Sequence, residues 1–201
     1  MQMDAGLDTG PMLSTSHCAI EAADTSASLQ DKLLTLGPPA LLEVLDSMHK
    51  CRLQSQSTLK LTLTPQDDTL ATYAAKISKR EAMICWSSPA AVITRLIRAF
   101  YPFPIAYTSY DNDRVKVYKA EIQPLHLSSP KTPGEILKID NEGILVACGE
   151  GTINDAINII QLQLPGKKIM SVPELLNGYP ARFAVGRCFQ ANTMGLSLIH
   201  I

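Results

Sequence analysis

No stretch of this chain approaches the roughly 20 apolar residues needed to cross a bilayer as a helix, so no membrane span is expected. No Cys-x-x-Cys pair occurs, and the five cysteines (Cys18, Cys51, Cys85, Cys148, Cys188) are odd in number and widely scattered. That pattern suggests neither a zinc site nor a disulfide framework, and free thiols in a reducing compartment fit it best. The four histidines stand apart, so they add no metal-ligating cluster, and no secretory leader is visible at the start. Strong charge of one sign is missing too, since the net charge is −1. The small total hides an imbalance. Residues 1–72 carry 4 Lys/Arg against 9 Asp/Glu, a net of −5, whereas residues 73–189 carry 14 against 10, a net of +4. An acidic first part joined to a basic second part suggests two units, the second able to meet a polyanion. At 201 residues one or two domains fit, with enough apolar content for a core.

What the chain does have, at its very start, is Met3-Asp4-Ala5-Gly6-Leu7-Asp8-Thr9-Gly10-Pro11-Met12. A Gly-x-Asp-x-Gly loop places one carboxylate on a backbone that two glycines allow to turn sharply and approach a ligand. Taken alone, Asp8 reads first as a turn aspartate accepting hydrogen bonds from its own loop; what raises the functional reading is the company the loop keeps further along. Asp-Thr-Gly is also the aspartic-protease signature, but that chemistry needs two carboxylates sharing a proton, and the motif occurs once with no apolar strand leading into it. A catalytic loop of this kind is normally held by a sheet. Few residues precede it to build one, so the chain reads as the back portion of an enzyme.

After the loop, Asp24-Thr25-Ser26 offers helix caps ahead of Leu29, Leu33 and Leu36 at helical spacing. Gly37-Pro38 is expected to end that helix and open a second, with Leu41, Leu42, Leu45 and Met48 as its apolar stripe. With so little sheet to cover, this first part should not bury its apolar face by itself. Residues 50–72 read as a connector, in which residues 57–64 alternate like a strand and Pro65-Gln66-Asp67-Asp68 breaks it.

From Tyr73 to Phe189 the pattern is mainly β. Met83–Trp86 and segments 105–110, 115–122, 135–139, 144–148 and 157–163 are expected strands, with turns at 111–113, 140–143 and 149–151. Ser88-Pro89 opens a helix that buries Val92, Ile93, Leu96, Ile97 and Phe100 and turns Arg95 and Arg98 elsewhere. Ser171-Val172-Pro173-Glu174 is a capping box for a short helix closed by Gly178. Five or six short strands with one helix suggest a small barrel. The tail from Asn192 to Ile201 fits no such pattern, and residues 190–201 are expected to be non-native, because 195–201 reads as translated sequencing adapter.

Taken together, these segments resemble the C-terminal two-thirds of the methionyl-tRNA formyltransferase family. The resemblance is carried by residues 3–12, 24–38, 65–79 (PQDDTLATYAAKISK), 84–86, 97–104 (IRAFYPFP), 115–120 (VKVYKA), Pro133-Gly134 and 162–177 (LQLPGKKIMSVPELLN). Two stretches, 50–63 and 151–158, look longer than is usual in the family. The resemblance implies an α/β plus β chain. Residues 1–49 would be the remnant of a truncated Rossmann-like formyltransferase domain, 50–72 a linker, and 73–189 an OB-like tRNA-binding barrel. The activity it implies is formyl transfer from 10-formyltetrahydrofolate to the amino group of methionine on initiator tRNA, without a metal. An amine attacks the formyl carbon, charge develops on the formyl oxygen, and a proton must leave the amine.

The family uses an Asn, a His and an Asp for this. Asp8 matches the Asp; nothing in the 201 residues matches the Asn or the His, and His17 reads as a partly exposed residue on a strand after the loop. Asp4, Gly6 and Leu7 would line the pterin pocket. For tRNA phosphates the candidates are Lys76, Lys79, Arg80, Arg95, Arg98, Lys167 and Lys168, of which Lys76, Lys79, Lys167 and Lys168 match family motifs. Tyr73, Trp86 and Phe100 read as packing residues rather than base-stacking platforms. The resemblance implies a monomer in the cytoplasm, with a mitochondrion or plastid as the alternative. Competing readings are a stand-alone RNA-binding module, or another formyltetrahydrofolate-using transferase or hydrolase; of these, a glycinamide ribonucleotide formyltransferase would lack the basic barrel and the Gly166-Lys167-Lys168 segment.

Overall fold

In the computed structural model, which describes residues 1–53, 63–124, 131–149 and 155–190, the chain divides into two units, Met1–Lys76 and Ile77–Ile201. The expected strand at 57–64 falls outside the described residues except for its last two positions. The tail from 191 onward and part of the 149–151 turn fall outside them as well.

In the first unit, polar residues around Thr25 set the start of one long helix, α1 (Ser26–Leu53). The Thr25 N–H donates to the Ser28 hydroxyl at 3.0 Å, while the Ser28 N–H donates back to Thr25 Oγ1 at 3.1 Å. Two of the orphan donors at the helix start are thereby satisfied reciprocally. The Asp24 carboxylate accepts from the Glu21 N–H (2.7 Å), the Ser28 hydroxyl (2.8 Å) and the Lys32 ammonium (2.6 Å). The bond from Lys32, then those from Glu21 and Ser28, hold its pKa at about 2.

The expected break at Gly37-Pro38 does not occur, for α1 runs through Pro38 and Pro39. A glycine cap needs the left-handed conformation, which Gly37 does not adopt. Gly37 also has no Cβ to clash with the Pro38 ring, and both proline rings have a φ that a helix accepts. What is lost is two backbone donors. Along the continuous helix Leu34, Leu41, Leu45 and Met48 form a stripe, each 48–63% exposed. Among the described residues of this unit only Gly10 is buried. As expected, the unit leaves its apolar face uncovered. Tyr73, expected to pack, is 94% exposed, because nothing described in its unit lies against it.

The second unit holds α2 (Ala90–Ala99), β1 (Tyr107–Tyr110), β2 (Asp113–Pro124), β3 (Ile136–Asp140), β4 (Gly143–Cys148), β5 (Asp155–Gln163), β6 (Met170–Ser171) and α3 (Val172–Gly178). The sheet is antiparallel, with the path β1-β2-β5-β4-β3 and β6 on β5. The segment 187–190 bonds to both ends of that path. Gln190 N–H donates to Ser109 O of β1 (2.8 Å), the Ile136 N–H of β3 donates to Arg187 O (2.8 Å), and the Phe189 N–H donates to Gly134 O (2.9 Å). Edge strands otherwise present unpaired backbone groups. Here one short segment joins both edges.

The hairpin β1–β2 turns on Asp111 and Asn112, with φ of 49° and 68°, the left-handed pair that matches strand twist in a two-residue turn. Between β3 and β4, Asp140 Oδ1 accepts from the N–H groups of Glu142 (2.8 Å) and Gly143 (3.2 Å). Gly143 adopts φ of 156°, which side chains disfavour, and a Cβ there would also displace the Asn158 amide.

Residues Met83–Trp86 are not a strand. Only Met83 bridges Tyr107, in parallel, because the chain turns at Trp86 into α2 after a single rung. In α2 the buried residues are Ala90, Ile93, Thr94 and Ile97, one helical stripe. Val92 lies off that stripe and is 42% exposed, contrary to expectation. The Ser171–Glu174 capping box of α3 is present in both directions. Gly178 does not cap that helix in a left-handed conformation; it is the last helical residue, and Tyr179 follows as the cap.

Trp86 and Phe189 are fully buried and stack at 5.5 Å, and the Trp86 indole N–H donates to Thr108 Oγ1 at 2.9 Å. Thr108→Val would strand that donor in the core, an effect of about 1–3 kcal/mol. Chemical denaturation followed by the single tryptophan should show that loss, and an unchanged midpoint would refute it.

The Asp24 carboxyl should titrate near 2 by NMR, well below its ordinary 3.8. Because its folded pKa is depressed, its contribution to the α1 start is present above the ordinary value and is lost as pH falls through about 2. Asp24→Asn should remove that acid-side step. A titration midpoint near 3.8 would contradict the assignment.

Candidate functional site

Asp8 sits in the left-handed region, with φ of 55°, a conformation that aspartate tolerates better than most residues. Its loop is held from behind by Gln66. The Gln66 amide donates to the carbonyl oxygens of Asp8 (2.6 Å) and Gly10 (2.7 Å), and so fixes the backbone on both sides of Thr9. Next to it, Met12 and Thr64 exchange two backbone hydrogen bonds at 2.8 and 3.0 Å, and the Gln2 N–H donates to Pro11 O at 2.9 Å. Gly10 is obligatory in this packing, since a Cβ there would lie 1.8 Å from Gln2 O. The loop is therefore built from strand-like fragments, not from a sheet.

The Asp8 side chain is exposed and has no hydrogen-bond or ion-pair partner among the described residues. His17 is exposed and lies in irregular chain, not on a strand; no described backbone pairs with residues 13–20 to make one. Asp4 spends one carboxylate oxygen on the Ala5 N–H at 2.7 Å, while Gly6 and Leu7 are open, Leu7 at 95% exposure. No group of three His, Cys, Asp or Glu side chains comes together among the described residues.

The cations of the second unit fall into two sets. Lys119, Lys131, Lys138, Arg182 and Arg187 are ion-paired, to Glu121, Glu135, Asp140, Asp113 and Asp111 respectively. Lys79, Arg95, Arg98, Arg114, Lys116, Lys167 and Lys168 make no ion pair among the described residues. Lys76 ends the first unit and is exposed. Arg80 is exposed but has an interaction partner of its own. Arg95 and Arg98 stand on α2, away from its buried stripe.

Lys167 and Lys168 occupy a turn after β5 in which Gly166 adopts φ of 67°. Gln163 donates to Lys167 O at 2.7 Å, and the Lys167 ammonium lies 5.5 Å above the Tyr179 ring. Trp86 and Phe100 are buried, so neither is a surface for bases.

Sequence reasoning missed Gln66, Arg114 and Lys116. Gln66 carries no local signal, because its partners lie more than fifty residues away. Arg114 and Lys116 did carry one: in residues 114–118 they alternate with Val115 and Val117, which are buried, so the basic side chains face outward on β2.

Residues 76–180 match the family described as "Formyl transferase, C-terminal domain". The chain belongs to this family. Among curated formyltransferases, it is 44% identical over 178 residues to the methionyl-tRNA formyltransferase of Pseudoalteromonas translucida (strain TAC 125), covering 89% of this chain and 52% of the relative. It is 43% identical over 188 residues to the methionyl-tRNA formyltransferase of Pseudomonas putida (strain GB-1), covering 93% and 55%. The chain thus spans about half the length of the curated relatives it matches. Among solved structures, HypX from Aquifex aeolicus in complex with tetrahydrofolic acid shares the fold, with a TM-score of 0.60 and 15% identity over 94% of this chain and 32% of that one. No described helix is long and apolar enough to cross a membrane.

Replacing Gln66 with Ala removes both side-chain donors to the Asp8 loop. Backbone amide exchange at Gln2 and Met12 should quicken in the variant, as local opening becomes easier. Unchanged exchange there would show that Gln66 does not hold the loop.

Proposed function

We propose that this chain is the C-terminal part of a methionyl-tRNA formyltransferase, an enzyme that moves the formyl group of 10-formyltetrahydrofolate to the methionyl amine of initiator tRNA. The observation that carries the reading is the match at 43–44% identity that covers 89–93% of the chain, and so takes in both units. In this reading the second unit is an OB-like barrel whose unpaired cations hold tRNA phosphates, and the first belongs to a Rossmann-like catalytic domain. Asp8 is the carboxylate that orients an imidazole and relays the amine's proton through water, and Asp4, Gly6 and Leu7 line the pterin. The relatives are bacterial, which favours a cytoplasmic setting over an organelle.

The 201-residue polypeptide by itself is expected to be inactive. Among the described residues no imidazole and no side-chain amide reaches the Asp8 carboxylate, and even one oxyanion donor is typically worth about 10²–10³ in rate. Those same facts support a second reading, an RNA-binding module acting without catalysis, because the packed unit is the basic one.

Two measurements on this polypeptide test the proposal. With formylfolate and charged initiator tRNA, no formyl transfer above background is expected; turnover near that of a full-length relative would refute inactivity. Binding to tRNA should weaken steeply with salt. Exchanging Lys76, Lys79, Lys167 and Lys168 together for Gln should reduce the slope of log affinity against log salt by about 3. If the unaltered chain binds no tRNA, the RNA-binding reading fails.

A further inference from the structure

Residues 50–72 carry the pattern of a linker, yet their described part from Leu63 onward forms the back of the Asp8 loop. Thr64 and Met12 exchange backbone hydrogen bonds, and Pro65 follows with its own φ fixed by the ring. On the other side, Asp67 caps a single 3-10 turn, Asp68–Leu70. Its Oδ1 accepts from the Thr69 N–H (2.9 Å) and from the Thr69 hydroxyl (2.6 Å). Gln66 therefore lies between a backbone rung and a capped turn, and its main chain is fixed at both ends. From there its amide nitrogen donates to Asp8 O and Gly10 O at 2.6 and 2.7 Å, one hydrogen for each carbonyl.

The direction of the Asp8 carboxylate depends on that grip. A residue with a Cβ keeps a left-handed φ, 55° here, only where its surroundings hold it there. No described side chain bonds to the carboxylate, so its direction follows from the torsions of its own backbone. Relaxation to a negative φ would carry the Cβ, and the carboxylate with it, to another side of the loop. Among the described residues, the hydrogen bond made to Asp8 itself comes from Gln66.

We propose that Gln66 is a positioning residue for formyl transfer: by holding the carbonyls on both sides of Thr9 it aims the Asp8 carboxylate, so residues 64–70 belong to the reacting loop and not to a spacer. The inference rests on the formyltransferase reading. In that reaction the amine nitrogen bonds to the formyl carbon and the bond from that carbon to the folate nitrogen breaks. The proton lost by the amine passes through water, under the control of Asp8, and ends on the folate nitrogen. A misdirected carboxylate raises the barrier to proton transfer and leaves ground-state binding as it was. A neutral amide also holds the loop without setting a charge beside a group that handles protons.

Two measurements test this. In the 201-residue chain, the strong intraresidue N–H to Hα NOE that a positive φ produces should be present at Asp8. Gln66→Ala should weaken it, and so should Gln66→Glu, which keeps the length but has no donor when ionised. Gln66→Lys, whose ammonium can donate to both carbonyls, should retain it. For the rate, the part of the Pseudomonas putida (strain GB-1) relative outside the match is fused ahead of Met1. In that fusion Gln66→Ala should lower kcat on the order of tenfold, as displacement of a reacting group does. KM for tRNA and for formylfolate should stay within about twofold, and Gln66→Lys should recover most of kcat. An Asp8 NOE unchanged in Gln66→Ala overturns the inference whatever the activity, and it decides the matter if a variant fusion does not fold. An unchanged kcat, or a loss confined to KM, overturns the inference and leaves the formyltransferase reading standing. A fusion that melts cooperatively yet transfers no formyl group removes that reading, and the inference falls with it.

Discussion

The pairing of residues 187–190 with both ends of the sheet is the constraint on which the second unit depends. Without it, β1 and β3 would each present a row of unsatisfied backbone groups, and Phe189 would have no reason to enter the core. With it, Phe189 stacks on Trp86, and the rings of Tyr110 and Phe183 meet Phe189 at 5.5 Å each. The indole of Trp86 is anchored in turn by Thr108, one residue from Ser109, which accepts the Gln190 N–H. Aromatic packing and edge closure thus reinforce each other, and the outer faces of β1, β2 and β5 are free to carry charge.

The two units solve the burial problem differently. The second buries its apolar residues in one cluster running from Ile84 to Phe189. The first is organised by polar contacts: the local Asp24–Ser28–Lys32 cap, and the long-range Gln66 clamp on the Asp8 loop. Hydrogen bonds of this kind fix backbone direction but add little to burial, and the leucines of α1 stay half exposed. An aspartate held by its main chain with an open side chain has its carboxylate available to other groups. That openness is what supports the proposed role of Asp8 in proton relay over a role in its own turn.

Much of the second unit was legible. Alternation located β1 to β5 within about two residues, and Asp111-Asn112 and Ser171–Glu174 read correctly, because each depends on residues no more than a few positions apart. The misreadings have a common cause. Gly37-Pro38 is a helix stop only if glycine turns left-handed, and Met83–Trp86 has strand composition but room for one rung. Val92 is apolar yet lies off the stripe that α2 buries. In each case composition permitted two outcomes and neighbours chose between them. Of the site, Asp8 stood out through its glycines, whereas Gln66, which holds it from 58 positions away, read only as part of a strand-breaking Pro65-Gln66-Asp67-Asp68 run.

Residue order alone determined the Gly-x-Asp-x-Gly loop, the division into an acidic and a basic part, the strands β1 to β5 and the family, since all of these are written in short patterns. Tertiary structure decided which cations are free: Arg182 and Arg187 are as basic as Arg114, but folding brings Asp113 and Asp111 to them and brings a tyrosine ring to Arg114. Charge is a property of a residue. Its availability depends on what long-range pairing places within a few ångströms, and no local pattern encodes that distance.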